Sequence, residues 1–255
     1  MGRARKFSLH LGFNYPRTNS ALHGCWNDAF MMRKLAINMG YKPRVLLDNR
    51  RRSRARIIRE IRALIRKPNG SQLFLTYSGH GASVAAGADK YEKDRKNEAL
   101  VLPDFSLLQD GQFFNLIRQL PSRSRLTIVL DCCHSGTGCD FPLVLQASRN
   151  QWALDRPDTV LNRKRPIVML AGCRDAQYSY ERATQNKVRG ALTVAFYHTM
   201  TRAIHRNRRR RRGRRNIAQI GCRGLLNQVK KRINDRHQIP VVSCTKRIPV
   251  NFSAF

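Results

Sequence analysis

Two apolar runs of the same kind, Leu73-Phe74-Leu75-Thr76-Tyr77 and Leu126-Thr127-Ile128-Val129-Leu130, each stop abruptly at small and polar residues. Runs this short, rich in branched and aromatic side chains and bounded by turn residues, read as buried strands. The pattern recurs along the chain. Lys6 to Phe13 is a first strand closed by Asn14-Tyr15-Pro16, Arg44-Val45-Leu46-Leu47 a second, Pro166 to Ala171 a later one and Val241-Val242-Ser243 the last. Between them lie helical patterns. Ser20 is placed to cap a helix from Ala21 to Met39, ended by Gly40, and Ser53 to cap one whose Ile57, Ile58, Ile61, Leu64 and Ile65 share a face. Phe113 to Leu120, Gly190 to about Ala203 and Ile217 to Ile233 read as further helices. Such alternation predicts an α/β layer architecture with a mainly parallel sheet. The segment from Ala82 to about Leu108 carries little strand or helix signal, and the segment before Pro166 reads as a loop.

Charge narrows the class further. The chain of 255 residues has 49 Lys+Arg against 16 Asp+Glu, a formal charge of +33, yet 42% of it is hydrophobic. That is enough apolar matter for a sizeable core, which excludes wholesale disorder. No uninterrupted apolar stretch reaches the ~18 residues of a membrane span, so no transmembrane segment is expected. The basic start, Met1-Gly2-Arg3-Ala4-Arg5-Lys6, lacks the apolar stretch of a signal peptide. Seven cysteines without zinc spacing point to a reducing intracellular compartment, cytoplasmic or nuclear. The basic residues concentrate in Arg50 to Arg56 and in Arg206 to Arg215, where eight arginines repel one another and predict an exposed loop. These regions suit non-specific attraction to nucleic acid. With no nucleic-acid fold signature and 8% aromatic residues, base-specific reading is not expected. The plainer reading is a solvated arginine-rich surface.

Chemistry is expected at the strand ends. One buried strand ends in Ser78-Gly79-His80-Gly81, the other in Asp131-Cys132-Cys133-His134. In parallel α/β sheets, sites form at the carboxyl ends of strands, and a right-handed crossover makes these two strands neighbours. His80 and one of the two cysteines then stand side by side. An imidazole beside a thiol generates the thiolate and can return the proton to a leaving amine. The glycines around His80 let a substrate backbone approach, and the Gly81 N–H, with the N–H of the nucleophile itself, can stabilise an oxyanion. Taken singly, a His or a Cys at a strand end is more often structural.

Several strings resemble those of metacaspases, the caspase-like cysteine peptidases, and the type I group in particular. They are Asn14-Tyr15, Leu22-His23-Gly24-Cys25-Trp26-Asn27-Asp28-Ala29, Tyr77-Ser78-Gly79-His80-Gly81, Asp131-Cys132-Cys133-His134-Ser135-Gly136 and Gly172-Cys173-Arg174-Asp175-Ala176-Gln177-Tyr178-Ser179. The resemblance runs in order from about Lys6 to Val250. It implies a caspase-like three-layer sandwich, with a large-subunit-like region over 1–160 and a small-subunit-like region over 161–255 packed as one domain. It makes His80 the catalytic histidine and Cys133 the nucleophile, with Cys132 a buried neighbour. Gly81 and Cys133 supply the oxyanion donors. Asp28 and Asp131 match the acids of the first specificity pocket, with Ser78 and Cys25 beside it. Two carboxylates at the floor of a cleft favour a guanidinium or ammonium, so cleavage after Arg or Lys is expected, and polypeptides are the partners. The plain alternatives are a helix-surface charge for Asp28 and a turn cap for Asp131.

The resemblance also implies an activating calcium site, to which Asp110 and Asp140 correspond. Here Gln109 replaces a second adjacent acid and the 89–98 segment is shorter and much more basic than the family's usual acidic loop, so the site reads as degraded, with no cofactor required for the chemistry. The chain begins almost at its first strand, which predicts a form lacking a prodomain. A monomer is expected. Self-cleavage is predicted at Asn162-Arg163-Lys164-Arg165 or within Arg206 to Arg215. The competing reading is a catalytically idle basic scaffold that binds nucleic acid.

Overall fold

The computed structural model describes residues 4–49, 53–85, 96–132, 141–155, 166–172, 181–184, 187–210, 220–235 and 238–253. Their elements run β1 (Lys6–Gly12), α1 (Cys25–Asn38), β2 (Lys42–Leu47), α2 (Arg54–Ile65), β3 (Gln72–Ser78), β4 (Gly81–Ala85), β5 (Lys96–Val101), β6 (Leu107–Gln109), α3 (Asp110–Ile117) and β7 (Arg125–Asp131). There follow β8 (Leu143–Gln146), β9 (Gln151–Leu154), β10 (Ile167–Ala171), β11 (Glu181–Thr184), β12 (Lys187–Gly190), α4 (Ala191–Arg210), α5 (Cys222–Ile233) and β13 (Val241–Cys244). The main sheet has the order β2-β1-β3-β7-β10-β13-β8-β9. From β2 to β10 the pairings are parallel, whereas β13, β8 and β9 are added antiparallel.

Side chains alternate across this sheet, and the two faces collect different helices. Leu73, Leu75 and Tyr77 of β3, with Ile128 and Leu130 of β7, pack with Ile57 and Ile61 of α2 and Phe113 and Ile117 of α3. On the other face, Phe74, Val129 and Leu170 meet Leu35 of α1, Phe196 and Met200 of α4, and Leu226 and Val229 of α5. The result is the expected α/β sandwich of three layers, sheet in the middle. Among the described residues no helix is long and apolar enough to cross a membrane.

Several local expectations need correction. The first helix starts at Cys25, not after Ser20: the Cys25 N–H is capped from a distance by Asn14 Oδ1 at 2.9 Å. The segment from Ala82 to Leu108 holds the antiparallel sheet β4-β5-β6, whose buried Ala99, Leu100 and Val101 were hidden among charged neighbours. The presumed loop before Pro166 contains the β8–β9 hairpin, turned at Asn150 with φ 54°. The arginine run is not all loop, because α4 continues through Arg210. Arginine is a good helix former, and extending an established helix avoids a new nucleation step. The last helix begins at Cys222 rather than at Ile217, which lies outside the described residues.

His10, wholly buried in β1, shows how a polar side chain is accommodated in this core. Its Nδ1 lies 3.0 Å from Thr76 Oγ1 and its Nε2 2.9 Å from Ser8 Oγ, with its edge against Phe74. Burial, and secondarily the charge of Arg33, push this imidazole down to about 3. An unfolded chain's imidazole takes up a proton below about 6.5, so acidification through that range favours the unfolded state. The penalty is absent above pH ~6.5 and grows as pH falls toward 3, by at most about 1.4 kcal/mol per pH unit. In urea unfolding at pH 7 and pH 5, His10→Gln should lose less stability on acidification than the unaltered chain, by about 2 kcal/mol. Equal losses would show that His10 is not the buried neutral group.

Candidate active site

Gly12, Ser78 and Asp131 lie level at the carboxyl ends of β1, β3 and β7, because the pairing sets Gly12 beside Ser78 and Ser78 beside Asp131. The next residues are Gly79-His80 on one strand and Cys132 on the other, so β3 and β7 end at the same height. Cys133, the second cysteine of the turn, and Asp140 lie outside the described residues. Cys132 is only 2% exposed and belongs to the core on the α2–α3 face.

His80 is held from several sides. Its Nε2 lies 2.7 Å from the Ser20 carbonyl, which can only accept, so Nε2 carries the proton and Nδ1 the lone pair of the neutral ring. The ring packs on Tyr15 with centroids 4.7 Å apart. The His80 N–H donates to the Tyr15 hydroxyl at 3.0 Å, and its carbonyl accepts from the Tyr77 hydroxyl at 2.7 Å and from the Val101 N–H at 3.1 Å. Burial raises both phenols well above their ordinary range, so they stay protonated and hydrogen-bonding. A Cβ on Gly79 would run into both hydroxyls, at 2.6 Å from Tyr77 and 2.8 Å from Tyr15. Glycine is therefore required before His80 by close approach. Gly81 follows as the first residue of β4, opposite Leu100.

Tyr15 owes its place to a residue that sequence reasoning missed. Tyr15 precedes a proline and sits at φ 48°, a left-handed conformation that bulky residues seldom adopt. The buried Asp48, just past β2, accepts the Asn14 N–H at 3.0 Å, the Tyr15 N–H at 2.6 Å and the Trp26 indole N–H at 2.6 Å. That carboxylate pins the loop that carries Tyr15 under the His80 ring. The available signal was a lone acid in a stretch from Arg44 to Arg56 that is otherwise rich in arginine.

Asp28, Ser78 and Asp131 do come together. Asp28 is 1% exposed, and its Oδ2 accepts from Ser78 Oγ at 2.7 Å and from the Gly190 N–H at 3.0 Å. Asp131, 6% exposed, accepts the Thr193 N–H at 2.8 Å through Oδ2. The two acids thus converge on the N-terminus of α4, where main-chain donors and the helix dipole favour negative charge. A Cβ on Gly190 would collide with the Asp131 carboxylate and meet Asp28 Oδ2 at 3.0 Å, so this position must be glycine for both acids to reach it. Asn27 Nδ2 donates to the Val188 carbonyl at 3.0 Å and fastens the same junction. Neither plain alternative describes these acids, since Asp28 is no surface charge and Asp131 caps a helix distant in sequence. Cys25 is buried one helical turn before Asp28.

Asp110 lies elsewhere, at the start of α3. Its carboxylate is buried and accepts the Gly111 N–H at 2.6 Å and the Glu98 N–H at 3.3 Å. Among the described residues no group of three or more His, Cys, Asp or Glu could hold a metal ion. Asp140, the other acid that corresponds to a calcium ligand of the family, and residues 89–95 lie outside the described residues. Cys222 and Cys244 are core thiols on the α4–α5 side, each pushed up to about 12 by burial and thus unreactive at neutral pH.

A family model for the metacaspase, peptidase C14 domain matches residues 6–142. The chain belongs to the metacaspase family. Metacaspase-5 of Trypanosoma brucei brucei is 32% identical over 217 residues, covering 77% of this chain and 43% of that protein. The chain spans about half the length of the curated relatives it matches. Two solved structures share the fold. Protein GSU0716 from Geobacter sulfurreducens superposes with a TM-score of 0.69 at 21% identity, covering 98% of this chain and 97% of that one. The Drosophila initiator caspase Dronc does so with 0.58 at 9% identity, covering 96% and 83%. The sandwich is thus the caspase-like fold expected of a metacaspase.

The loop at Tyr15 offers a direct check on how His80 is supported in this metacaspase. Asp48→Asn puts an amide N–H against main-chain donors and should cost about 2 kcal/mol in urea unfolding. Tyr15→Phe, which leaves the His80 N–H without its acceptor, should cost about 1–2 kcal/mol. An unchanged midpoint for Asp48→Asn would show that the loop is held by other contacts.

Proposed function

We propose that this chain is a cysteine endopeptidase that cleaves peptide bonds after Arg or Lys, with His80 and Cys133 as its dyad. The observation that carries the reading is the bond from His80 Nε2–H to the Ser20 carbonyl, at the end of the strand that neighbours the one leading to Cys132-Cys133. It fixes the tautomer in which Nδ1 is the base. The burial of Cys132 in the core supports the reading of Cys133 as the reactive thiol of this turn.

In the proposed reaction, Nδ1 of His80 accepts the Cys133 thiol proton and the thiolate adds to the scissile carbonyl carbon. The N–H groups of Gly81 and Cys133 stabilise the tetrahedral oxyanion. Collapse breaks the C–N bond, and His80 gives its proton to the leaving amine, leaving a thioester. Water then attacks the thioester, its proton passes to His80, and expulsion of the thiolate releases the carboxylic acid product and restores the thiol. Supporting a basic residue at the cleaved position is the convergence of Asp28 and Asp131 beside Ser78, two buried carboxylates near the strand ends. A substrate guanidinium or ammonium would complete the donor set now provided by the main chain of 190–193. Calcium enters no step.

Self-cleavage is proposed to favour Asn162-Arg163-Lys164-Arg165 over the arginine run. Peptidases bind extended chain, and Arg206 to Arg210 is helical.

The expected result is hydrolysis of a fluorogenic peptide ending in Arg, with an Asp-ended peptide left intact. Cys133→Ala and His80→Ala should each lower kcat/KM by about 1,000-fold or more, whereas Cys132→Ala should retain activity at some loss of stability. Asp28→Asn should raise KM for the Arg peptide. Assays with added calcium and with chelator separate an inactive chain from one that needs the ion. No turnover in either condition, or full activity in Cys133→Ala, would overturn the proposal.

A further inference from the structure

Away from the strand ends, α4 and α5 leave a cavity of about 450 Å³ between them, lined by Ala191, Val194, His198, Arg202, Gln228, Lys231 and Arg232 among others. A second cavity of about 260 Å³ shares His198, Arg202 and Arg232 and adds Thr201 and His205. Together they form a trough along the two helices. The spacing explains the convergence of charge. His198, Arg202 and His205 recur at helical intervals on α4, while Gln228, Lys231 and Arg232 do so on α5.

This crowding is electrostatically unfavourable as it stands. Burial, then Arg232, Arg189 and Arg202, hold the His198 imidazole below its ordinary range, and burial with Arg202 lowers even the Arg232 guanidinium. Among the described residues, the buried Nε of Arg189, from β12, has no hydrogen-bond partner. Arg232 Nε donates to Thr199 Oγ1 at 3.1 Å, a neutral acceptor. Among the described residues the ion pairs are those of Glu60 with Arg44 and Arg56, and no carboxylate pairs with these cations.

We propose that the α4–α5 trough is a binding site for a compact oligophosphate anion, one carrying two or more adjacent phosphate groups. The cations approach from two helices and line a volume in the range of small-molecule sites. Arginine forks match phosphate oxygens bidentately, and lysine and histidine add point charges. A concave trough of this size suits a small, dense charge better than a nucleic-acid strand, whose phosphates lie in a long row and need an extended surface. The site is separate from the acid pair and does not rest on the peptidase reading. It nonetheless begins at Ala191, next to the Gly190 that those acids hold.

The test is titration of the full chain with inorganic tripolyphosphate, followed by calorimetry at 0.15 M salt. Saturable binding with one site per chain is expected. Arg202→Glu/Lys231→Glu should weaken it roughly tenfold or more, and Arg202→Gln/Lys231→Gln by a smaller factor. Lys34→Glu/Arg123→Glu, an equal change of net charge at exposed positions elsewhere, should stay within about twofold. The glutamine pair keeps the test valid if the glutamate pair fails to fold. Absence of one-site saturation, or equal weakening in both charge-reversal pairs, would overturn the proposal in favour of general attraction to a +33 chain. A single-stranded oligonucleotide that outcompetes tripolyphosphate at equal phosphate concentration, and is itself lost in Arg202→Glu/Lys231→Glu, would overturn it in favour of nucleic acid.

Discussion

The candidate active site depends on the register that sets Gly12, Ser78 and Asp131 in one row across β1, β3 and β7. A parallel ladder has no freedom to offset one strand by a single residue without turning its buried face outward. The core enforces this, because Leu73, Leu75 and Tyr77 must face α2 and α3 while Phe74 faces α4. The height at which His80 leaves the sheet is thus a consequence of hydrophobic alternation several residues earlier. So is the meeting of Ser78 with Asp28. Chemistry at the strand ends is positioned by packing in the strand middles.

A second constraint is the use made of scarce acids. Asp28, Asp48, Asp110 and Asp131 are all buried, and each accepts main-chain N–H groups from a segment distant from it or from the start of a helix. They act as joints between elements. In a chain with so few carboxylates, this use inside the molecule leaves the arginine surface less neutralised than composition alone suggests. Charge-assisted bonds to main-chain donors are among the stronger hydrogen bonds, which suits places where loops must hold an unfavourable conformation such as that of Tyr15.

What could be read from sequence was whatever has a short-range signature. The strands β3, β7 and β10 are continuous apolar runs and were legible, as were the helical faces of α2 and α5. The β4-β5-β6 sheet was not, because its strands carry Lys96, Glu98 and Gln109 and gain their stability from pairing across the chain. Ser20 looked like a cap, yet its carbonyl meets His80 and the helix starts five residues later, because Asn14 supplies the acceptor from outside. The motif strings located His80, Ser78, Asp28 and Asp131 as neighbours. The role of Asp48 depends on contacts 22 to 34 residues apart in sequence, which no local pattern encodes.

The strand order carries one last implication. β10 and β13, which follow residue 165, are inserted between β7 and β8, which precede residue 156. The earlier and later portions of the chain are therefore threaded through one another as a single hydrogen-bonded surface. A backbone break between them would leave two polypeptides that cannot drift apart, since separating them means tearing the sheet along two seams, β7–β10 and β13–β8. Covalent continuity across that stretch matters for assembling this molecule far more than for keeping it assembled.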